Sequence, residues 1–449
     1  MNTCLFTPII FISVSCINHL NKLYDGIILI LSMPNIFKPD IDCDNKKEGE
    51  NVSDNEKQNT EPKQDVVLRE EYLDIDKWDD MEIKPELLRG IYSYGYEIPS
   101  PIQRKAIQPM LDKRDLIAQA QSGTGKTATF TIGSLMTVDN SLSNAQVICL
   151  SPTRELSTQI YTVFKGLSEF MTNISIHTFV GGTPVSENIQ TIKQKRPHIV
   201  IGTPGRVFDL IRRRALNCSH IKQLVLDEAD ELLSQGFDEQ IRSIFQCLPD
   251  SVQTCIFSAT LPKHVFMITD RFMRNPVNIT VKAEQLTLEG ISQYYIAIEN
   301  DVQKYETLVD LYSRFSVSHC IIYTNTIKRV SDLYDAMTSD GYPVCCIHSD
   351  MSVNDRETSL AKFRSGQHRV LISSNLTARG IDVQQVSCVI NFDIPRDVST
   401  YLHRIGRSGR WGRKGVGINL ITEKDVSKMR SIESYYRTQI EEMPADINI

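Results

Sequence analysis

The sequence predicts an α/β protein built from two parallel-sheet lobes, and three observations support this. From residue 78 onward, short apolar runs each lead into a polar cluster and then into a helical stretch. That rhythm stops near residue 282 and restarts after residue 290. With 449 residues, of which 41% are hydrophobic and 23% charged, the chain has ordinary globular composition and enough length for two or three domains. Strands that alternate with helices indicate βαβ units, in which helices cover both faces of a parallel sheet.

The apolar runs place five predicted strands in each lobe. In the first lobe, residues 77–283, they lie at 115–118, 146–150, 198–201, 223–226 and 253–257. A short linker at 284–290 leads to the second lobe, residues 291–449, whose predicted strands lie at 293–298, 319–323, 343–347, 369–372 and 386–390. Open parallel sheets bind ligands at the carboxyl ends of their strands. The polar clusters that follow these runs are therefore candidate site residues.

The segment before the first lobe has a different character. Residues 1–32 contain two apolar runs, 4–16 and 26–31, each shorter than the roughly 18 residues that span a bilayer. We interpret them as a gene-model extension ahead of Met33 or as an apolar leader, although no Lys or Arg precedes the first run as in a signal peptide. Residues 33–76 are acidic and poor in aromatics, which predicts a disordered tail.

The charge distribution excludes binding of nucleic acid through overall basicity, since the net charge is −6. Residues 33–80 carry seven Lys or Arg against fifteen Asp or Glu, which leaves residues 81–449 at +2. A local RNA site is compatible with that balance. The eleven cysteines include no Cys-x-x-Cys pair, so they indicate neither a disulfide framework nor a zinc site, and favour a reducing compartment. We expect Cys149, Cys255 and Cys320 to pack as small apolar side chains.

A glycine-rich turn follows the first predicted strand and opens a helix at 120–127. Ala120 stands where the strict phosphate-loop pattern has Gly. Backbone N–H groups of such a turn wrap phosphate oxygens, and the helix N-terminus adds positive potential. Lys126 is expected to reach the β- and γ-phosphates, and Thr127 to hold Mg²⁺. The remaining predicted phosphate-binding residues are Ser122, Gly123, Thr124 and Gly125.

Two further clusters complete the expected chemistry. Asp227 and Glu228 close the strand at 223–226, where one carboxylate can hold Mg²⁺ and its neighbour can orient the attacking water. In the second lobe, Arg404, Arg407 and Arg410 follow one another at intervals of three residues. A guanidinium fork matches phosphate oxygens, so one of these arginines can stabilise charge that develops on a γ-phosphate.

With these clusters in order along the chain, the sequence resembles the DEAD-box RNA helicases, and most closely the translation initiation factor 4A group with its nuclear exon-junction relative. Further matching motifs are Gly95-Tyr96 with Pro99 and Gln103, then 152–155, 181–182, 203–206, 258–260 and 378–382. The likeness covers residues 78–444. It implies two tandem RecA-like domains that bind ATP and Mg²⁺, hydrolyse ATP and act on RNA.

The resemblance also implies roles for individual residues. Gln103 selects adenine with Tyr96 against the base, Asp382 contacts the ribose, and Arg407 and Arg410 reach the γ-phosphate. His403 and Arg404 link the lobes, while Ser258 and Thr260 couple hydrolysis to strand separation. The RNA backbone is expected to meet Thr153, Arg154, Gly181, Gly182, Thr203, Gly205 and Arg206 in the first lobe, and Asn325, Thr326, Arg356 and Ser374 in the second.

This chain departs from the family pattern at three positions. Trp78 replaces the usual Phe near the adenine, Asn375 replaces a frequent Asp, and Val353 replaces a frequent Gln. Because Trp is aromatic like Phe, we expect an aromatic stacking surface to remain at Trp78. The other two concern RNA-side or inter-lobe contacts.

Three functions remain open at this stage. The first is an RNA-dependent ATPase that melts short duplexes in translation initiation. The second is an ATP-gated RNA clamp in a nuclear exon-junction-like complex, and the third is a P-loop ATPase unrelated to RNA. The resemblance further implies a helical-repeat scaffold of the initiation factor 4G type as partner and RNA without strong sequence preference. It also implies a monomer with no membrane association, in the cytoplasm, with the nucleus as the alternative location.

Overall fold

The computed structural model describes residues 76–444 apart from residues 122, 235, 281–290, 315–318, 376–385 and 409–414. The predicted leader at 1–32, the predicted tail up to residue 75 and the predicted linker at 284–290 lie outside the described residues. So do three predicted site residues, Ser122, Asp382 and Arg410.

The first sheet has seven strands that pair in parallel, in the order β3-β4-β2-β5-β6-β1-β7. Their bounds are β1 Leu116–Gln119, β2 Val147–Leu150, β3 Ile176–Phe179, β4 Ile199–Gly202, β5 Gln223–Asp227, β6 Gln253–Ser258 and β7 Val277–Thr280. The four strands β2, β4, β5 and β6 are buried along their whole length. Burial on both faces explains why they read as continuous apolar runs rather than as alternating patterns.

The second sheet repeats this arrangement, with parallel pairing in the order β10-β11-β9-β12-β13-β8-β14. Its strands are β8 Ile291–Ala297, β9 His319–Tyr323, β10 Val344–Ile347, β11 Val370–Ser373, β12 Val386–Asn391, β13 Gly415–Ile421 and β14 Glu441–Glu442. Adding seven to each strand number of the first sheet reproduces the second order. The two lobes therefore share one topology.

Helices cover both faces of each sheet. In the first lobe they are α1 Pro85–Ser93, α2 Pro101–Leu111, α3 Lys126–Thr137, α4 Arg154–Leu167, α5 Val185–Lys195, α6 Pro204–Arg212, α7 Ala229–Ser234, α8 Asp238–Phe245 and α9 Lys263–Phe272. In the second lobe they are α10 Asp301–Arg314, α11 Ile327–Ser339, α12 Val353–Arg364, α13 Val398–Ile405 and α14 Val426–Tyr436. Each lobe has two apolar cores, one on each face of its sheet.

The ten predicted strands are all present, with ends that differ by at most two residues. Four strands were not predicted: β3, β7, β13 and β14. They lie toward the edges of the sheets or are interrupted by glycines and polar residues, so their sequences lack the continuous apolar run of a central strand. Cys149, Cys255 and Cys320 are at most 3% exposed, which confirms that they pack as apolar side chains. Within the described part of the chain, no helix has the length and apolar character needed to cross a membrane.

Candidate nucleotide and RNA site

The phosphate loop lies between β1 and α3, at the carboxyl edge of the first sheet. Gly123 and Gly125 have φ values of 86° and 98°, a left-handed conformation that Gly adopts at no steric cost. Lys126 is the first residue of α3, and its buried ammonium donates to the carbonyls of Ala120 at 2.7 Å and Gln121 at 3.1 Å. The cation is therefore held inside the loop by neutral acceptors that anionic oxygens can replace.

The carboxylate cluster stands beside this loop, because β6 alone separates β1 from β5. Asp227 is 2% exposed, and its Oδ1 accepts the Glu228 backbone N–H at 3.0 Å. Burial raises the pKa of Asp227 well above its usual range, and the neighbouring Glu228 raises it further, while Lys126 acts in the opposite direction. This pocket is short of positive charge, which is the electrostatic condition of a cation site.

Glu228 is held in a backbone conformation that side-chain-bearing residues rarely adopt, with φ at 50°. Such left-handed residues cost of order 1–3 kcal/mol and concentrate at functional sites. The turn ends β5 and starts α7 one residue later. The Glu228 side chain is buried, and its Oε2 has no hydrogen-bond partner within the described structure.

A hydrogen-bonded chain connects this cluster to the second lobe. Thr260 Oγ1 donates to Asp230 Oδ2 at 2.6 Å, and His403 Nε2 lies 2.9 Å from the same oxygen. The Asp230 backbone N–H also donates to Ser258 Oγ at 3.4 Å. Ligand atoms of Glu228, Asp230 and His403 lie within 4.8 Å of one another. Four predicted residues, Glu228, Ser258, Thr260 and His403, are thus brought together across the lobes.

Gln103 connects the start of α2 to the phosphate loop. Its Oε1 accepts the Ser100 N–H at 2.6 Å in a capping box, and its Nε2 faces the Gly125 carbonyl at 3.5 Å. Ser100 Oγ donates to the Thr124 carbonyl at 2.8 Å. Tyr96 is half-buried, and its ring centroid lies 5.3 Å from that of Tyr94.

Trp78 differs from its predicted setting. Its indole is fully buried in the core of the first lobe, so it presents no open aromatic face. The expectation of a stacking surface there is wrong for this structure, because the indole fills core volume instead.

Arg404 is the centre of a polar network inside the second lobe. The guanidinium is completely buried and donates to the side-chain oxygens of Asn375, Asn391 and Asn325 and to the Asp393 carbonyl, at 2.6 to 3.1 Å. Desolvation lowers the pKa of Arg404 to about 10. Asn375 accepts two of these bonds, so the departure from the family pattern keeps an acceptor for Arg404 but removes its charge. Arg407 lies two residues beyond the end of α13, is 4% exposed, and donates from its Nε to the His403 carbonyl at 3.2 Å.

Three strand ends of the first lobe bring the predicted RNA-facing residues together. Arg154 begins α4 after β2, and its guanidinium lies against the Gly pair that follows β3. A Cβ at Gly182, where φ is 88°, would stand 2.4 Å from Arg154 Nη1. The glycine is therefore required for both the backbone conformation and the close approach of the guanidinium.

The neighbouring strand end contributes the start of α6. Thr203 caps that helix without a side-chain bond, whereas Thr153 accepts the Leu156 N–H at 3.2 Å in capping α4. Gly205 is exposed and Arg206 is half-buried. Thr153, Arg154, Gly181, Gly182, Thr203, Gly205 and Arg206 thus share one edge of the sheet.

The predicted RNA residues of the second lobe are more fully engaged with protein. The amide of Asn325 donates to the Ile394 carbonyl at 2.8 Å and accepts from Arg404. Thr326 caps α11 by accepting the Arg329 N–H at 3.3 Å. Ser374 follows β11 and is half-buried.

Arg356 has its structural partner in the other lobe. Its Nη1 lies 2.7 Å from Glu155 Oε1, and the two side chains are 7% and 12% exposed. Sequence reasoning places Glu155 and Asp230 inside motifs but assigns them no role, and it does not name Asn188. Each is a common residue type whose role depends on a partner distant in the chain.

A phosphate loop, a buried carboxylate pair and an arginine-bearing second lobe of equal topology define a two-lobe P-loop ATPase. Comparison with known proteins identifies the family. The DEAD/DEAH box helicase domain matches residues 100–268, and the helicase conserved C-terminal domain matches residues 303–412. The chain belongs to the DEAD-box helicase family.

Curated relatives align over most of their length. The ATP-dependent RNA helicase eIF4A of Aspergillus oryzae is 52% identical over 83% of this chain and 88% of the relative. The protein of the same name from Schizosaccharomyces pombe is 50% identical over 86% of this chain and 98% of the relative. Eukaryotic initiation factor 4A of Caenorhabditis elegans is 50% identical, over 83% and 92% respectively.

A solved structure confirms the fold class of two tandem RecA-like domains. Dbp5 of Saccharomyces cerevisiae, bound to RNA and ADP BeF3, superposes with a TM-score of 0.78 at 35% identity. The match covers 82% of this chain and 96% of that one.

Proposed function

We propose that this protein is an ATP-dependent RNA helicase that acts in translation initiation. The observation that carries the proposal is the chain Thr260–Asp230–His403, which ties the carboxylate cluster beside the phosphate loop to the arginine-bearing helix of the other lobe. Sequence identity of 50–52% to eIF4A proteins, over 83% of this chain, supports the same activity and pathway.

ATP is expected to bind along the carboxyl edge of the first sheet. The backbone of residues 122–125 and the Lys126 ammonium would hold the phosphates, because the two carbonyls that now accept from Lys126 are weaker partners than anionic oxygens. Gln103 and Tyr96 would hold the adenine, and Asp382 the ribose.

Thr127 and Asp227 are the residues proposed to hold Mg²⁺. A hydroxyl and a carboxylate are hard oxygen donors of the kind that Mg²⁺ prefers. Asp227 also fits because its buried carboxylate has a pKa raised by burial and by Glu228, a penalty that a divalent cation would remove. When bound, Mg²⁺ would neutralise part of the phosphate charge.

Hydrolysis would then depend on groups from both lobes. Glu228 would orient and deprotonate the attacking water, and Arg407 with Arg410 would stabilise the charge that develops on the γ-phosphate. Ser258, Thr260, His403 and Arg404 would transmit lobe closure to the site. Because ATP and RNA each contact both lobes in this arrangement, each would favour the closed state.

RNA would lie across the strand ends of both lobes. Backbone N–H groups and a few arginines contact phosphate and 2′-OH without reading bases, so we expect little sequence preference. Helical-repeat scaffolds of the initiation factor 4G type are the proposed partners. We place a monomer in the cytoplasm, where translation starts. The nuclear clamp is the less favoured alternative, since curated relatives at 50–52% identity carry the names eIF4A or initiation factor 4A.

The proposal is tested by measuring ATP hydrolysis of the full chain with and without single-stranded RNA. We expect RNA to stimulate the wild type strongly and Glu228→Gln to reduce the stimulated rate by about 10²–10⁴-fold, the usual contribution of a general base. Glu239→Gln, which removes the same charge from an exposed side chain of α8, should behave as wild type. Tight RNA binding with negligible turnover would favour the clamp, and no effect of RNA on ATP hydrolysis would refute the helicase.

A further inference from the structure

Arg206 is held at the carboxyl edge of the first sheet entirely by neutral oxygens. Its Nη1 donates to Thr183 Oγ1 at 2.9 Å and to Asn188 Oδ1, and its Nη2 donates to the Thr183 carbonyl at 2.7 Å. No described carboxylate forms an ion pair with it. The acid that acts on it most strongly, Asp209, is engaged by Arg212 at 3.1 Å and by Arg213 at 2.8 Å. The guanidinium is therefore fixed in place while its charge remains uncompensated.

Asn188 occupies an unusual position on its helix. It is the one buried residue of α5, 9% exposed, while the apolar residues of that helix are only half-buried. A buried polar side chain must be hydrogen-bonded to avoid a desolvation penalty, and here the amide oxygen meets Arg206 and lies 3.5 Å from Thr183 Oγ1. An amide supplies the acceptor without the charge that an acidic side chain of the same shape would bring.

Arg206, which follows β4, and Arg154, which follows β2, are close enough to repel each other. Desolvation lowers the pKa of Arg206, and Arg154 and Arg213 lower it further through repulsion, while Asp209 raises it. The Arg154 guanidinium, which lies against Gly182, has no hydrogen-bond partner within the described residues. An anion placed here would relieve that repulsion and meet donors already in position.

We propose that Asn188 is a positioning residue that aims Arg206 at an RNA phosphate and, because it is neutral, leaves the arginine's charge available to that phosphate. This inference rests on the proposed RNA-binding role of the first-lobe strand ends and adds to it the residue that sets the strength of one phosphate contact. An acidic residue at position 188 would compete with the phosphate for the same guanidinium.

The test compares RNA binding by full-length wild type and Asn188→Asp, which adds a charge without changing shape. The probe is a fluorescein-labelled 20-nucleotide polyuridylate, titrated with protein at several salt concentrations in the presence of a non-hydrolysable ATP analogue. We expect the Kd of Asn188→Asp to rise about tenfold, as for the loss of one charge-assisted hydrogen bond. The slope of log Kd against log salt concentration should fall by about 0.7, the value for one phosphate contact to a single strand.

Kinetics separate positioning from general damage. The RNA concentration that gives half-maximal ATP hydrolysis should rise about tenfold in Asn188→Asp, in step with Kd. The kcat at saturating RNA should change less than about twofold, since the residue acts on binding. Asn188→Ala removes the acceptor but adds no charge, so its affinity should fall less. Asn188→Glu is a second acidic variant, with the same expected loss, if Asn188→Asp does not fold.

Two controls distinguish the possible failures. Gln194→Glu adds the same charge to an exposed position of α5 and should keep the wild-type Kd and salt slope. If Arg206→Ala weakens RNA binding but the acidic variants at position 188 do not, the role of Asn188 is refuted while the RNA site stands. If the wild type itself does not bind the RNA, the proposed function fails together with the inference.

Discussion

At the scale of single residues, His198 shows how a buried ring can be restricted to one protonation state. The ring is 6% exposed, and its Nδ1 accepts the Ser175 N–H at 3.0 Å while it also hydrogen-bonds the Leu142 carbonyl. An accepting Nδ1 carries no proton, so the ring must be neutral. Desolvation lowers the pKa of His198, opposed by Leu142 and Asp139. The neutral ring therefore contributes to folding stability in full above the unfolded pKa of about 6.5. That contribution is lost as the pH falls below this value, because protonation is easier in the unfolded chain.

We expect the wild type to lose stability between pH 7.5 and pH 5.5 and His198→Asn to lose less over the same range. The Asn side chain can still accept the Ser175 N–H but does not titrate. At pH 7.5 we expect the substitution to lower the free energy of unfolding by about 1 kcal/mol, because the second hydrogen bond of the ring is lost. Urea unfolding at each pH measures the difference. His220→Asn, at an exposed position, should keep the wild-type pH dependence. Equal losses in wild type and His198→Asn would show that the ring is not held neutral.

At the scale of elements, close helix contacts depend on residues without a Cβ. Gly90 lies on α1 where a Cβ would stand 2.1 Å from the Leu167 carbonyl at the end of α4. Backbone atoms cannot move aside as a flexible side chain can. The packing of α1 against α4 therefore requires Gly at this position, although Gly lowers the intrinsic stability of a helix by up to about 1 kcal/mol.

We expect Gly90→Ala to destabilise the protein by about 1–3 kcal/mol, the usual cost of overpacking a close contact. Gly205→Ala is the matched control, because nothing lies within 4 Å of a Cβ at that position on α6. There the better helix propensity of Ala should leave stability unchanged or raise it by up to about 1 kcal/mol. Denaturant unfolding measures both, and a neutral Gly90→Ala would show that α1 can move away from α4.

At the scale of the whole molecule, polar contacts between described residues join the lobes, among them His403 with Asp230 and Arg356 with Glu155. The second is a buried ion pair at 2.7 Å. Removing one partner of a buried pair leaves an uncompensated charge and costs about 3–5 kcal/mol. The arrangement of the lobes should therefore depend on this pair.

We expect Arg356→Met or Glu155→Gln to open the lobes in the absence of nucleotide, because a penalty of that size can invert a two-state population. Small-angle scattering should report a larger radius of gyration for either variant. The exchange Glu155→Arg with Arg356→Glu should recover part of the compact state. Glu169→Gln, at an exposed position of the same lobe, is the control. An unchanged radius in both single variants would mean that the pair does not hold the lobes together.

Local pattern was sufficient for most of the fold and for the phosphate site. The apolar runs marked the central strands, because burial on both faces makes a strand continuously apolar. The order of loop, carboxylates and arginines predicted the chemistry, because each motif is a short segment that carries its own backbone geometry. The edge strand β3 and the short β14 lacked that pattern and were missed.

Only the tertiary structure determined which charges meet. His403 lies 173 residues from Asp230 in the chain, and Arg206 lies 18 residues from Asn188, so no periodicity or spacing predicts either contact. The burial of the Trp78 indole likewise depends on an apolar core whose residues are distant in the chain. The sequence by itself determined the strands and the phosphate chemistry, because those depend on neighbouring residues. The folded chain decided the electrostatics of the site, because a charge is strengthened, neutralised or left free by groups that come close only after the lobes have formed.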